Sequence, residues 1–169
     1  TIPLCVPSMG GNEWAYVKEC LDINWVSSLG AFVDRFETEL AEYVGSKHAV
    51  ATASGTAALH IALLVAGIEP DDEVLLPALT FIAPANAVRY CQAWPVFIDV
   101  EREYYELDPA LLEGKITTRT RAIIPVHLFG LPCEMDPIRE VAARYDLKII
   151  EDSCETMFAR YHGEPVGSM

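Results

Sequence analysis

The sequence predicts an α/β fold, a three-layer α/β/α arrangement with a mostly parallel sheet. From His48 onward, short apolar runs alternate with helical patterns, and strand–helix–strand alternation at this spacing builds a parallel sheet with helices on both sides. Runs such as Ala122–Val126 and Lys148–Ile150 are continuous rather than alternating, which marks strands buried on both faces.

Before His48 the pattern is different. Glu13–Leu21 and Phe32–Val44 read as amphipathic helices, separated by a polar loop at Asn24–Gly30. His48–Ala53 reads as the first strand. Thr56–Ala66 is an Ala/Leu-rich helix, opened by Ser54-Gly55-Thr56 and closed by Gly67. Glu73–Pro77 follows the turn Pro70-Asp71-Asp72 and reads as a strand. Phe81–Tyr90 is helical despite Pro84, which lies near its start. Trp94–Asp99 is a strand. Asp108–Gly114 is a short helix, with Asp108 as N-cap and Pro109 at its first position. Arg121–His127 is a strand, Met135–Tyr145 a helix, and Leu147–Glu151 a strand. A turn at His162-Gly163-Glu164-Pro165 follows. A sheet of this kind ordinarily gains more strands, so the sequence reads as part of a longer protein.

Composition narrows the function classes. With 169 residues, 51% of them hydrophobic and 22% charged, the chain is globular rather than disordered. Its formal net charge is −13 and it has no Lys/Arg run, so a nucleic-acid partner is not expected. An acidic enzyme with small-molecule substrates fits better. The five cysteines (Cys5, Cys20, Cys91, Cys133, Cys154) are scattered and include no CxxC pair. Neither a metal site nor a disulfide framework is expected, and free thiols suit a reducing cytoplasm. Thr1-Ile2-Pro3-Leu4 has no basic leader followed by an apolar run, so no signal peptide is expected. No apolar stretch is long enough to predict a membrane span.

Ligands of open α/β sheets bind beyond the carboxyl ends of the strands. After the first expected strand comes Ala53-Ser54-Gly55-Thr56. A small-residue turn opening a helix presents unpaired N–H groups and the positive end of the helix dipole, and the Ser54 and Thr56 hydroxyls can add hydrogen bonds. That combination suits a phosphate, or it is an ordinary N-cap. The dinucleotide and Walker A glycine patterns are both absent. After the next strand comes Phe81, which either stacks on a planar ring or belongs to the core. His127 ends another strand, as a site residue or as a satisfied structural one. The last strand ends in Glu151-Asp152-Ser153-Cys154-Glu155. A carboxylate there can keep a pyridine nitrogen protonated; the alternatives are a helix cap or a metal-binding acid. An anion cup, an aromatic and an acid after different strands together match the three needs of pyridoxal phosphate (PLP): a phosphate anchor, a ring stack and a partner for the ring nitrogen.

At these residues the sequence resembles the DegT/DnrJ/EryC1/StrS family of sugar aminotransferases, which are fold-type-I PLP enzymes. The resemblance runs in order along nearly the whole chain: Ile2-Pro3-Leu4 with Pro7-Ser8, Asn24 to Ser28 with Gly30, Phe36-Glu37, and Tyr43-Val44-Gly45. Ser54-Gly55-Thr56-Ala57-Ala58-Leu59 is its strongest part. Asp72-Glu73-Val74, Pro77 with Thr80-Phe81, Ala85-Asn86-Ala87, Pro95-Val96-Phe97 with Asp99, Pro125 to Gly130, Met135 to Ile138 and Ile150-Glu151-Asp152 complete it. The resemblance implies PLP as cofactor. Its phosphate would lie at Ser54, Gly55 and Thr56, Phe81 would stack on its ring, and Asp152 would pair with its nitrogen. It implies Ser28 as a contact to substrate or cofactor near a homodimer interface. Residues 1–47 would hold N-terminal helices with a substrate or interface loop, and residues 48–169 would form part of the PLP-binding large domain. The implied reaction moves an amino group from an amino acid, glutamate in the first instance, to a keto group of a nucleotide-linked sugar.

Two departures stand out. Glu155 occupies a place where the family has Gln or His near the cofactor's ring hydroxyl. None of Lys18, Lys47, Lys115 and Lys148 matches the lysine through which these enzymes hold the cofactor; that segment would follow Gly167-Ser168. Relatives with histidine in place of that lysine act as sugar dehydratases, which is the alternative activity. A truncated fragment without catalysis is the second alternative.

Overall fold

Two helices come first, α1 (Glu13–Asp22) and α2 (Ala31–Val44). In this computed structural model, which describes residue 2 and residues 6–169, α3 (Gly55–Val65), β1 (Glu73–Pro77), α4 (Ile82–Tyr90), β2 (Trp94–Ile98) and β3 (Thr120–Ile123) follow. The described chain then adds α5 (Met135–Tyr145), β4 (Lys148–Ile149) and the two short strands β5 (Arg160–Tyr161) and β6 (Glu164–Pro165). Cys5 and most of the Ile2-Pro3-Leu4 motif lie outside the described residues.

The main sheet has the order β2-β1-β3-β4, and all three of its pairings are parallel. Strand residues alternate between two cores, as the two-residue period of a strand requires. Val74 and Leu76 of β1, with Ala122 and Ile124, pack against Leu59 and Leu63 of α3 and Ala85, Ala87 and Val88 of α4. Leu75 and Ile123 face the other way, onto Met135, Ile138, Val141 and Ala142 of α5. The expected three-layer α/β/α architecture is therefore present. Leu63, Leu75 and Leu76 are each 0% exposed, and burying such a side chain contributes about 1.5–3 kcal/mol.

Local chemistry sets the element ends. Ser54 caps α3, its hydroxyl accepting from the Ala57 N–H at 3.3 Å. Asp108 caps the next segment in the expected way, accepting from the Ala110 N–H at 3.0 Å. That segment forms two 3₁₀ turns, Pro109–Leu111 and Glu113–Lys115, instead of one short helix. Its bonds run from Leu111, Leu112 and Lys115 back three residues, the pattern short pieces favour. β5 and β6 form a hairpin whose central residues, His162 (φ 48°) and Gly163 (φ 92°), both have positive φ. That is the turn whose twist suits a two-residue hairpin.

Three expected strands differ. His48–Ala53 forms no ladder: no described strand runs beside it, Val50 is 78% exposed, and the Ala51 N–H is taken by the Glu37 carboxylate at 2.7 Å. Apolar residues alone do not make a strand without a partner's row of amides and carbonyls. The strand expected over 121–127 is regular only to Ile123, because Pro125 has no N–H to give to the ladder. The last strand is regular for only two residues, yet its pairing continues singly, with Ile150 N–H to Ile123 C=O at 3.0 Å and Asp152 N–H to Pro125 C=O at 2.9 Å.

Candidate active site

A cavity of about 270 Å³ opens at the carboxyl ends of the parallel strands. Gly55 and Thr56 reach it from the start of α3, Thr80 and Phe81 from the turn after β1, Val126 and Leu128 from beyond β3, and Asp152, Cys154 and Glu155 from beyond β4. Five residues singled out in the sequence thus meet in one place: Gly55, Thr56, Phe81, Asp152 and Glu155. Ser54 stands beside them, with its hydroxyl spent on the cap. Ser28 is exposed in the loop between α1 and α2 and does not line the cavity. His127 does not line it either; its ring is buried behind the cavity wall.

Each side of the cavity offers distinct chemistry. At the start of α3 the Ala57 and Ala58 amides bond to Ser54, while the Gly55 and Thr56 amides take no acceptor among the described residues. Two free N–H groups at the positive end of an 11-residue helix suit a phosphate. Phe81 is 58% exposed and leaves a ring available for stacking. Asp152 is 7% exposed, and its Oδ1 accepts from the Cys154 N–H at 3.2 Å. Glu155 Oε2 accepts from the Phe129 N–H at 2.9 Å. It therefore holds a residue in the left-handed region (Phe129 φ 50°) while also facing the cavity.

Sequence reasoning passed over several lining residues. Thr80, beside Phe81 in the turn after β1, carries a buried hydroxyl with no partner among the described residues. Such an orphaned group asks for a ligand. Cys154 lies two positions beyond Asp152, a spacing that places it on the same wall. A Cβ on Gly55 would come within 2.6 Å of the Cys154 sulfur, so glycine is needed there for close approach. Burial, with Asp152 and Glu155 nearby, pushes the Cys154 thiol up to about 12, and a protonated thiol is a poor nucleophile. Behind the cavity, burial raises the Glu106 carboxyl and the Cys133 thiol. No lysine lines the cavity among the described residues. The residues present fit PLP: free amides for its phosphate, an aromatic for its ring, a buried carboxylate for its nitrogen, and a hydroxyl awaiting a partner.

Residues 7–169 match the DegT/DnrJ/EryC1/StrS aminotransferase family. The chain belongs to this family. It is 51% identical over 168 residues to the GDP-perosamine synthase of Caulobacter vibrioides, covering 99% of this chain and 45% of that protein. The PLP form of Spr1654 from Streptococcus pneumoniae superposes with a TM-score of 0.91 at 31% identity, covering 99% of this chain and 46% of that one. A GDP-4-keto-6-deoxymannose-3-dehydratase with a trapped PLP–glutamate adduct gives 0.88 at 25% identity, covering 97% and 44%. The chain spans just under half the length of the curated family members it matches. Among its described residues, no helix is long and apolar enough to cross a membrane.

Proposed function

We propose that the protein carrying this chain transfers an amino group from an amino acid, glutamate in the first instance, to the keto group of a GDP-linked sugar, with PLP as cofactor. The observation that carries the reading is the convergence of free α3 amides, Phe81 and Asp152 on one cavity. When bound, PLP would supply the electron sink and the carrier for the amino group. The chain's own residues bind and orient. The Gly55 and Thr56 amides take the phosphate, and Phe81 covers one face of the ring. Asp152, in its buried position, holds a proton on the ring nitrogen. Glu155 fixes the Phe129 turn beside the ring.

The residues divide in the same reading. Residues 48–169 build the cofactor site, and residues 1–47 serve the substrate side and the subunit contact. The protein works as a homodimer, with Ser28 placed near the interface. The substrate class and the GDP-perosamine synthase relatives suit a cytoplasmic enzyme of surface-polysaccharide synthesis. The test is to incubate the full-length protein, PLP and L-glutamate with GDP-4-keto-6-deoxymannose. Appearance of a GDP-amino sugar with stoichiometric 2-oxoglutarate supports the reading. Loss of the 3-hydroxyl without amination assigns the dehydratase activity instead, which the likeness to that dehydratase keeps in view.

A further inference from the structure

Behind the cavity wall lies a buried pair that makes no contact with the cavity itself. Beyond β3 and β4 the two segments stay joined by the parallel bridge between Val126 and Asp152. The His127 N–H donates to the Asp152 carbonyl at 3.0 Å. Val126, Leu128 and Asp152 line the cavity, so by alternation His127 and Glu151 face the opposite side. Their side chains are 0% and 5% exposed.

The hydrogen bonds fix the ring's state. His127 Nδ1 accepts from the Cys133 N–H at 3.0 Å. A ring nitrogen that accepts carries no proton, so Nε2 bears it and donates to Glu151 Oε2 at 3.1 Å. Glu151 then takes two backbone donors: the Gly167 N–H on Oε2 at 2.9 Å and the Met169 N–H on Oε1 at 2.6 Å. Gly167 has φ 94°, and a Cβ there would stand 3.4 Å from the Ser153 hydroxyl. Between these two anchors, Ser168 donates to the Val44 carbonyl at the end of α2 (2.6 Å). One buried carboxylate therefore ties residues 167–169 to the back of the strand pair that presents Asp152.

We propose that His127 and Glu151 are a positioning pair for Asp152, with His127 orienting Glu151 and Glu151 locking residues 167–169 behind the wall of the cavity. A carboxylate that must meet a ring nitrogen is effective only when its supporting groups hold it to a fraction of an ångström. The inference rests on the reading of Asp152 as the partner of the cofactor's ring nitrogen.

The test separates the two ends of the histidine. In His127→Gln the amide nitrogen stands in for Nε2 and keeps the bond to Glu151. In His127→Asn the amide oxygen stands in for Nδ1 and keeps only the bond from Cys133. PLP is titrated into the full-length wild type, both His127 variants, Glu151→Gln and Asp152→Asn, reading affinity and the position of the bound cofactor's visible band. His127→Gln should bind within about two-fold of wild type, while His127→Asn and Glu151→Gln should bind roughly ten-fold more weakly or worse. In the weak binders the band should move toward that of Asp152→Asn. If His127→Asn binds well and His127→Gln does not, the pair only packs the loop and the proposal is overturned. If Asp152→Asn is weak and Glu151→Gln equals wild type, the positioning role falls while the reading of Asp152 stands; if wild type binds no PLP, both fall. Amide exchange in the PLP-bound wild type needs no variant: Gly167 and Met169 amides should be protected, and exchange at the rate of free chain overturns the proposal.

Discussion

Glu73 begins β1 with 5% exposure, a poor place for a charge unless it is bonded. Its Oε2 accepts from the Thr117 hydroxyl at 2.6 Å, and its Oε1 meets the Arg119 guanidinium. The Thr117 bond first, then Arg119, hold its carboxyl below the ordinary 4.5. A depressed folded-state value means that the stabilisation is complete above the ordinary value and disappears as pH falls through the folded one. Wild type should therefore lose more stability than Glu73→Gln as pH falls below the ordinary carboxylate value of 4.5, in denaturant titrations at each pH. At neutral pH, Glu73→Ala should cost on the order of 2 kcal/mol, because it removes bonds to a buried charge. Parallel pH curves for wild type and Glu73→Gln would show that the carboxylate contributes nothing specific.

At the scale of elements, the start of α3 joins fold and site. Gly55 lets the helix approach the wall beyond β4 so closely that an added Cβ would overlap the Cys154 sulfur. Gly55→Ala should therefore weaken PLP binding by pushing the free amides away from Asp152, by about ten-fold for a displacement that loses one phosphate bond. Cys154→Ala removes the obstructing sulfur and should restore much of the affinity in the double variant, a coupling read from the four corners of a double-mutant cycle. Additive losses would mean that the two residues do not meet. The sequence already held this site in outline, because Ser54-Gly55-Thr56, Phe81 and Asp152 each follow a run that reads as a strand, although the run before Ser54 forms no ladder. Thr80 and Cys154 escaped notice, since a hydroxyl or thiol carries no signal until its neighbours are known. The α-helices were legible from their period, whereas His48–Ala53 misled because pairing depends on a neighbour that composition does not reveal. His127 was visible as a strand-end histidine; that it faces away from the cavity follows from the Val126–Asp152 bridge, a long-range contact that local pattern does not encode.

At the scale of the whole molecule, Ser28 poses a question of geometry. It is exposed and lies outside the lining of its own chain's cavity. In the helix that precedes its loop, Trp14, Val17 and Leu21 follow one stripe of α1 at 73%, 52% and 55% exposure, and no residue of α1 is buried. In a symmetric dimer a loop from one subunit can complete the other's site. Complementation decides whether Ser28 does so. Ser28→Tyr and Asp152→Asn should each abolish amino transfer when expressed alone. If Ser28 serves the partner's cavity, a hybrid dimer of the two variants collects both lesions in one site and leaves the other intact. Co-expression should then recover roughly a quarter of wild-type activity, as random pairing in a two-fold dimer dictates. If Ser28 serves its own chain's cavity, every site in the hybrid carries one lesion and nothing is recovered. Recovery with a dimeric mass in solution would place the early loop across the subunit boundary; no recovery with the same mass would return it to its own subunit.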